Sequence, residues 1–188
     1  METYIKAAVL CPWTIHNDDL MVLMIRRSFW NKEKSRPMAF PGEWAFAGGK
    51  YEPQDKDLVE TAVREFREEL GYNGSIDNLK LIRSASSRFS ERNHYVEFYS
   101  ANVDPKSDFS YELERELVDD KWIKPKDAIE LIQSKEFDKE QSYWIKRYGL
   151  DQPVHGKSAI DSRQKADQTI ITLEHFVKND KMYTGETK

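Results

Sequence analysis

The sequence of 188 residues predicts an α/β or α+β domain. Apolar runs of strand length, bounded by Gly, Pro and Asn, alternate along the chain with segments whose apolar residues recur at helical spacing. The hydrophobic fraction is 39% and the aromatic fraction is 12%, which argues against wholesale disorder. The length favours one domain over two. We therefore predict a single domain over residues 1–188, with a C-terminal extension that begins at about residue 135.

The charge and the cysteine content exclude several kinds of protein. The net charge is −4, from 33 acidic and 29 basic residues, so a general nucleic-acid binder is not expected. Cys11 is the only cysteine, which rules out an internal disulfide and a zinc site built on several thiolates. The N-terminus does not resemble a signal peptide, and apolar runs such as MVLMI are far too short to span a bilayer. We expect a cytoplasmic protein with no membrane partner.

The first elements are predicted to be two paired strands. Residues 4–11 and 20–28 are rich in apolar side chains, and a polar turn at residues 17–19 separates them. Their continuous apolar character indicates a sheet that is covered on both faces. A loop with several prolines follows, and the short strand WAF then leads into the glycine pair Gly48-Gly49.

The next element is predicted to be an amphipathic helix. It begins near Asp55 or Asp57 and ends before Gly71, a residue suited to a helix C-terminus. At roughly 100° per residue, its apolar side chains form one continuous stripe, which docks the helix onto the sheet. The stripe consists of Val59, Ala62, Val63, Phe66 and Leu70.

Three glutamates lie just outside one edge of that stripe, where the core meets solvent. Glu65, Glu68 and Glu69 share one side of the helix, and each like-charge pair costs a few tenths of a kcal/mol in an isolated helix. A solvated helix face with intrahelical ion pairs is one interpretation. The other is a site for Mg²⁺ or Mn²⁺, which prefer hard oxygen ligands and offset the repulsion.

The residues around the glutamates favour the metal site. The glycine pair lets the backbone approach closely and leaves a carbonyl available as a ligand. Arg64 precedes Glu68 by four residues and can hold a carboxylate through its planar fork. The ordered combination of glycine pair, acid, spacer and Arg-Glu-apolar-x-Glu-Glu-x-Gly outweighs the interpretation as a solvated face.

The remaining elements are predicted to be three strands and two helices. The strands cover residues 79–90, 94–103 and 121–124, with an acidic loop before the last of them, and a helix follows from about residue 125 to about residue 133. A final helix runs from about residue 162 to about residue 177, with Asp161 as N-cap and Gln164 completing a capping box. Its apolar residues recur at helical spacing, so it packs against its own domain or against a second copy in a homodimer. These residues are Ala166, Ile170, Leu173 and Val177.

Residues 49–72 resemble the signature of the Nudix hydrolases. That signature reads Gly, five residues, Glu, seven residues, then Arg-Glu-apolar-x-Glu-Glu-x-Gly-apolar. Here Asp55 stands at the first acidic position with eight residues between it and Arg64, and Ala47 replaces the proline that commonly precedes the glycine pair. The resemblance implies an α/β/α sandwich with a mixed sheet over residues 4–134. The C-terminal helical extension is not covered by it.

The resemblance also implies an activity and a site. It implies hydrolysis of a nucleoside diphosphate linked to another group, with Mg²⁺ or Mn²⁺. Metals that bridge a pyrophosphate neutralise its charge and present an activated water in line with a phosphorus atom. Carried over by position, the metal ligands are Gly49 (through its carbonyl), Glu65, Glu68 and Glu69, and Arg64 orients the glutamates. The catalytic residues are then Arg64, Glu65 and Glu69, together with a general base, for which Glu116 is the choice.

The substrate is left open between several nucleotide derivatives. The additional residue before Arg64, with Thr61-Ala62, resembles the coenzyme A pyrophosphatase subgroup, and Arg27-Ser28 matches that subgroup's second motif in part. ADP-ribose, nucleotide sugars and dinucleotides are the alternatives. A binding module without turnover is a hypothesis from another class. Hydrolysis of RNA 5′ ends is disfavoured by the acidic net charge and the absence of an obvious basic tract.

Substrate contacts and a general base are predicted from individual residues. Trp30 is expected to stack on a base, with Arg27 and Lys50 as phosphate contacts. The loop that carries Trp30 is, on the alternative interpretation, an ordinary surface loop. Enzymes that this chain resembles often take the general base from an acid downstream of the helix. Glu116 or Glu112 of the acidic loop is preferred to Glu97, which sits in a predicted strand.

Overall fold

The computed structural model describes residues 4–31, 35–38, 40–89, 92–107, 109–110, 117–134 and 160–185, and also residues 139, 142, 143, 146 and 147. The chain divides into two compact units. The first contains residues 1–23 and 46–111, and the second contains residues 24–45 and 112–188. The prediction of a single domain over the whole chain therefore stays a prediction. No helix within these described ranges is both long and apolar enough to cross a membrane.

The first unit contains a mixed sheet. Its strands are β1 (Tyr4–His16), the start of β2 (Asp19–Arg27), β6 (Ala47–Lys50), β7 (Ile76–Phe89) and β8 (Arg92–Val103). β1 pairs antiparallel with β2 and β6 and parallel with β8, and β7 pairs antiparallel with β8. The turn between β1 and β2 is formed by Asn17 and Asp18, which have φ of 51° and 65°. Two central residues with positive φ are typical of a tight hairpin, and they place the turn where the sequence predicts it.

Helix α1 (Leu58–Leu70) lies on this sheet against β1 and β6. The Asp57 carboxylate accepts a hydrogen bond of 2.9 Å from the Glu60 amide at the start of the helix. Gly71 has a left-handed φ of 59° at its end. Both predicted boundaries are confirmed, with Asp57 rather than Asp55 as the N-cap. Ala62, Phe66 and Leu70 are buried, which confirms the side of the helix that faces the core.

The strand register aligns three residues beneath α1. Ala8 of β1 is paired with Gly49 on one side and with Glu97 on the other, so these residues form one row across β6, β1 and β8. Directly paired residues direct their side chains to the same face of a sheet. A Cβ atom added to Gly49 would overlap the Glu65 carboxyl group of α1, which shows that this row faces the helix. The row positions the candidate site.

The described elements of the second unit include the rest of β2 and several further strands and helices. They are β3 (Trp30–Asn31), β4 (Arg36–Pro37), β5 (Trp44–Ala45), β9 (Leu117–Ile123), α2 (Pro125–Ile132), α3 (Ile160–Lys178) and α4 (Asp180–Thr184). β5 pairs antiparallel with the end of β2, and β3 pairs with β4. α2 packs against α3, which also contacts β5. β9 begins four residues before the predicted strand, because part of the acidic segment joins it.

The C-terminal helix α3 is confirmed in part. It begins at Ile160, so the predicted N-cap Asp161 lies within the helix rather than before it. Leu173 is buried as predicted, but the prediction for Val177 was wrong, because this side chain is 43% exposed. Phe176 is fully buried instead, on the packed face of the helix where the sequence pattern had placed Val177. A homodimer built on this helix remains a prediction.

Candidate functional site

Arg64 is anchored by a buried carboxylate. Its Nε donates to Oδ1 of Asp55 at 2.8 Å, and its Nη2 donates to Oδ2 at 3.0 Å. Asp55 also accepts hydrogen bonds from the Thr61 hydroxyl at 2.8 Å and from the Glu52 amide at 2.9 Å. This fork geometry is the strong, orienting form of an arginine–carboxylate pair. The shorter acid at the first acidic position of the motif therefore still holds the arginine.

The two groups hold each other in the charged form. The hydrogen bonds from Arg64 are the main reason that the pKa of the Asp55 carboxyl lies well below its usual range. The same contact is the main reason that the pKa of the Arg64 guanidinium is raised. Asp55 and Arg64 therefore form an ion pair beside the glutamates.

The other donors of Arg64 reach two of the three glutamates. Its Nη1 lies 3.0 Å from Oε1 of Glu65 and 3.0 Å from Oε2 of Glu68. Its Nη2 also donates to the Lys50 carbonyl at 3.0 Å, which ties the helix to the end of β6. One guanidinium thus fixes the directions of the Glu65 and Glu68 carboxylates, as the predicted orienting role requires.

The glycine pair contacts the other side of the glutamates. Any side chain at Gly49 would occupy the place of the Glu65 carboxyl group, so only glycine permits that carboxylate to lie against β6. The Gly48 amide donates to Oε2 of Glu69 at 3.2 Å. Burial raises the pKa of the Glu65 carboxyl, while Arg64 lowers it. A divalent cation beside Glu65 would favour its ionised form.

The donor set fits a hard divalent cation. Among the described residues, no three His, Cys, Asp or Glu side chains already converge as a metal cluster. Glu65 and Glu68 meet at Arg64 instead, and Glu69 meets the Gly48 amide. Mg²⁺ usually binds through one or two carboxylates and completes its shell with waters and substrate phosphates, so it does not need a closed cage. The carboxylate oxygens on one edge of α1, next to the backbone of the glycine pair, meet that requirement.

The NUDIX domain model matches residues 5–148 of this chain. The chain belongs to the Nudix family. The predicted resemblance to that family is confirmed, and the match covers both the motif and the strands around it.

Proteins similar to this Nudix chain share its fold. The uncharacterized Nudix hydrolase NudL of Yersinia enterocolitica is 38% identical over 69 residues, 37% of this chain and 32% of that relative, so the match spans about a third of the relative's length. The crystal structure of a NUDIX hydrolase from Alicyclobacillus acidocaldarius has a TM-score of 0.57 at 22% identity, covering 72% of this chain and 86% of that one. The NUDIX domain of Shewanella oneidensis NrtR, complexed with ADP ribose, has a TM-score of 0.52 at 18% identity, covering 76% of this chain and 90% of that one. The predicted α/β/α sandwich with a mixed sheet is confirmed.

The remaining predicted residues of the Nudix site lie at the end of β6, in the second unit, or outside the described ranges. Lys50 is exposed at the end of β6, next to Gly49. Arg27 and Trp30 belong to the second unit, where the Arg27 amide donates to the Glu43 carbonyl at 3.0 Å. Their contacts with a substrate stay predictions. Glu116 and the acid at position 112 lie outside the described residues.

Sequence reasoning considered Glu97 only as a general base and overlooked its two tyrosine neighbours. The Tyr95 hydroxyl donates to Oε1 of Glu97 at 2.8 Å, and the Tyr99 hydroxyl donates to Oε2. Alternate residues on a strand share a face, so the pattern Tyr-x-Glu-x-Tyr was a signal that these side chains stand together. Their position beside the Nudix helix was not visible, because it depends on the register of β8 with β1.

Proposed function

We propose that this Nudix chain hydrolyses a pyrophosphate bond in a nucleoside diphosphate linked to another group. One observation carries this proposal. The Glu65 carboxylate packs against Gly49 and accepts a hydrogen bond of 3.0 Å from Arg64. The family is one that acts on pyrophosphate bonds. A carboxylate that is held this tightly on a helix edge is suited to a metal-assisted hydrolysis.

The residues of α1 have distinct roles in this proposal. Nudix hydrolases generally need divalent metal ions, and here Glu65, Glu68, Glu69 and the Gly49 carbonyl would hold Mg²⁺ or Mn²⁺. An ion bound there neutralises the diphosphate and makes a water more acidic. Arg64 keeps the carboxylates directed at the substrate, and Asp55 keeps Arg64 in place.

Residues outside the helix complete the proposal. Glu116 accepts the proton of the attacking water as the general base. Lys50 and Arg27 bind phosphate oxygens, and Trp30 stacks on the base of the nucleotide. Each of these roles is distinct from metal binding by the glutamates, so each can be tested by substituting the residue concerned.

Two substrate classes are proposed. Coenzyme A or a related dinucleotide is supported by the spacing from Asp55 to Arg64, with its one additional residue. ADP-ribose or a nucleotide sugar is supported by the fold shared with the NrtR domain that was crystallised with ADP ribose. A nucleotide-binding regulator without turnover is the alternative from another class, and the presence of all three glutamates argues against it.

The test is a panel of substrates with purified protein. The full chain is incubated with Mg²⁺ or Mn²⁺ and coenzyme A, ADP-ribose, NADH, diadenosine polyphosphates or nucleoside triphosphates, and products are separated by chromatography. We expect turnover of at least one compound, and a loss of at least about 100-fold in Glu69→Gln. Glu130→Gln, on an exposed position of α2, is the matched control and should keep full activity. Nucleotide binding without any product would favour the regulator.

A further inference from the structure

Glu97 is a second fixed carboxylate on the face of the sheet that carries the glutamates. It lies in the same row as Gly49, two strands away. Strands are spaced by about 4.8 Å, so the two Cα atoms are about 10 Å apart. α1 packs on β1 and β6 and only marginally on β8, so the helix leaves the Glu97 end of the row largely uncovered. Glu97 itself is half-buried.

Two phenols fix the direction of this carboxylate. Tyr95 donates to one oxygen at 2.8 Å, and Tyr99 donates to the other. Burial and then the hydrogen bond to Glu97 raise the pKa of Tyr99 above its usual range, so this phenol keeps its proton and remains a donor. Hydrogen bonds to both oxygens leave the Glu97 carboxylate little freedom to rotate. Glu97 is therefore an oriented acceptor.

The hydrogen-bonding capacity that remains on Glu97 has a definite shape. An ionised carboxylate has about four acceptor positions, and the phenols occupy one on each oxygen. One position is left on each oxygen. Two adjacent donors are the complement of that arrangement.

We propose that Glu97 binds the 2′,3′-hydroxyls of the nucleotide ribose and makes the site specific for an unmodified ribose diol. This inference rests on the proposed function, because the diphosphate at the α1 glutamates places the ribose next to Glu97. A diol supplies two adjacent O–H donors, and hydrogen bonds to a charged acceptor are the stronger kind. Tyr95 and Tyr99 are positioning residues that act through Glu97.

The position of Glu97 favours the ribose over two other ligands. A guanine edge also offers two adjacent N–H donors to a carboxylate, but a base lies farther from the diphosphate than its own ribose does. An attacking water offers only one proton at a time, whereas Glu97 has an open acceptor position on each oxygen and matches a pair of donors. A phosphate on the diol would remove one donor and bring like charge to the carboxylate.

Specificity for a free ribose diol would favour some of the proposed substrates over others. ADP-ribose and dephospho-coenzyme A carry a free diol on their adenosine, whereas coenzyme A carries a 3′-phosphate there. The wild type is therefore expected to turn over dephospho-coenzyme A with a higher kcat/KM than coenzyme A. In Glu97→Gln the ratio of the two values should approach one.

The direct test is a binding measurement that needs no turnover. Calorimetry with the full chain and Mg²⁺ compares α,β-methylene-ADP with its 2′-deoxy analogue. We expect the ribonucleotide to bind about tenfold more tightly to the wild type, since a hydrogen bond to a charged group is lost in the analogue. That ratio should fall to near one in Glu97→Gln and to an intermediate value in the double variant Tyr95→Phe/Tyr99→Phe, which keeps the ring volumes. Glu130→Gln and Tyr143→Phe, both on exposed positions, should keep the wild-type ratio.

Several outcomes would overturn the ribose assignment. The first is an unchanged ratio of ribonucleotide to deoxyribonucleotide affinity in folded Glu97→Gln or in the folded tyrosine variant. The second is a change that affects only the ratio of the affinities for α,β-methylene-GDP and α,β-methylene-ADP. The third is a failure of the wild type to bind either the ribonucleotide or its deoxy analogue. An equal drop of kcat for ribose and deoxyribose substrates with unchanged binding would assign Glu97 to proton transfer instead. If the binding ratio behaves as expected but no compound is hydrolysed, the proposed hydrolase activity is wrong while the ribose site stands.

Discussion

At the scale of single residues, Asp55 and Arg64 determine where the glutamates point. Both guanidinium donors on one side of Arg64 are bonded to Asp55, which leaves Nη1 for Glu65 and Glu68. Asp55 is buried and receives two further hydrogen bonds, so it has little freedom to move. The orientation of the Glu65 and Glu68 carboxylates is thus set by Asp55, which contacts them only through Arg64.

Asp55→Asn should lower activity or metal affinity by about 10- to 100-fold, which is typical for the loss of a partner behind the ligands. The amide can accept one hydrogen bond from Arg64 but cannot receive the charged fork. Mg²⁺ titration calorimetry and steady-state kinetics measure the two effects. Asp167→Asn, an exposed position on α3, is the control. Wild-type kinetics in Asp55→Asn would contradict the anchoring role.

Asp55 should also contribute to stability in a pH-dependent way. Arg64 depresses the pKa of Asp55 in the folded protein, so the stabilisation is present above the unfolded pKa of about 3.9 and is lost as the pH falls toward the folded value. Urea unfolding of wild type and Asp55→Asn should therefore differ near neutral pH, and the difference should shrink below about pH 4. A difference that stays constant through this range would exclude the ion pair as its source.

At the scale of elements, the two glycines of β6 have different neighbours. An added Cβ at Gly49 would meet the carboxyl end of Glu65, which is the flexible end of a side chain. An added Cβ at Gly48 would meet the backbone of Ala8 and Val9 in the paired strand β1. One position therefore affects the site and the other affects the sheet.

Gly49→Ala should reduce turnover strongly while leaving the unfolding midpoint close to that of the wild type, because Glu65 can swing away. Gly48→Ala should lower the midpoint clearly, because the backbone of β1 cannot yield without breaking strand pairing. Thermal unfolding monitored by circular dichroism, together with an activity assay, separates the two effects. The reverse assignment of the two phenotypes would be incompatible with the observed packing.

The N-terminus of α1 offers a second prediction for this element. Asp57→Ala removes the carboxylate that accepts from the Glu60 amide, and it should destabilise the protein by about 1 kcal/mol. Asp57→Ser should restore most of the loss, because a serine hydroxyl is a good N-cap. Urea denaturation measures both values. Equal stability of the wild type and Asp57→Ala would show that the cap does not hold the helix.

At the scale of the whole molecule, the C-terminal helix belongs to the packed structure of the second unit. Leu173 and Phe176 are fully buried, and α3 contacts both α2 and β5 within that unit. The residues after about position 135 were expected to form an extension. Helix α3 within those residues supplies core side chains to the second unit.

Leu173→Ala should therefore destabilise the chain by about 2–5 kcal/mol, as expected for a large side chain removed from a packed core. Val177→Ala, on the exposed side of the same helix, should change stability by less than about 0.5 kcal/mol. The two variants remove apolar groups from neighbouring turns, so they control for each other in urea unfolding. Similar values for both would mean that the helix is not packed as described.

Much of the site was predictable because its chemistry lies in one helix and the strand just before it. Periodicity places the glutamates on one edge of α1, and the capping residues are within a few positions of the helix ends. The exposure of Val177 was missed because it depends on tertiary contacts and not on a local pattern. Along α3 several apolar faces are compatible with the sequence, and only the partners of the helix decide which one is buried.

The sequence by itself determined the helix, its boundaries and the order of its acidic residues, because hydrogen bonding and side-chain periodicity within a helix are local. Only the tertiary structure decided that Glu97 lies in the row of Gly49, and that Tyr95 and Tyr99 hold it. Strand register joins residues that are far apart in the chain, and a shift of one residue would turn Glu97 to the other face of the sheet.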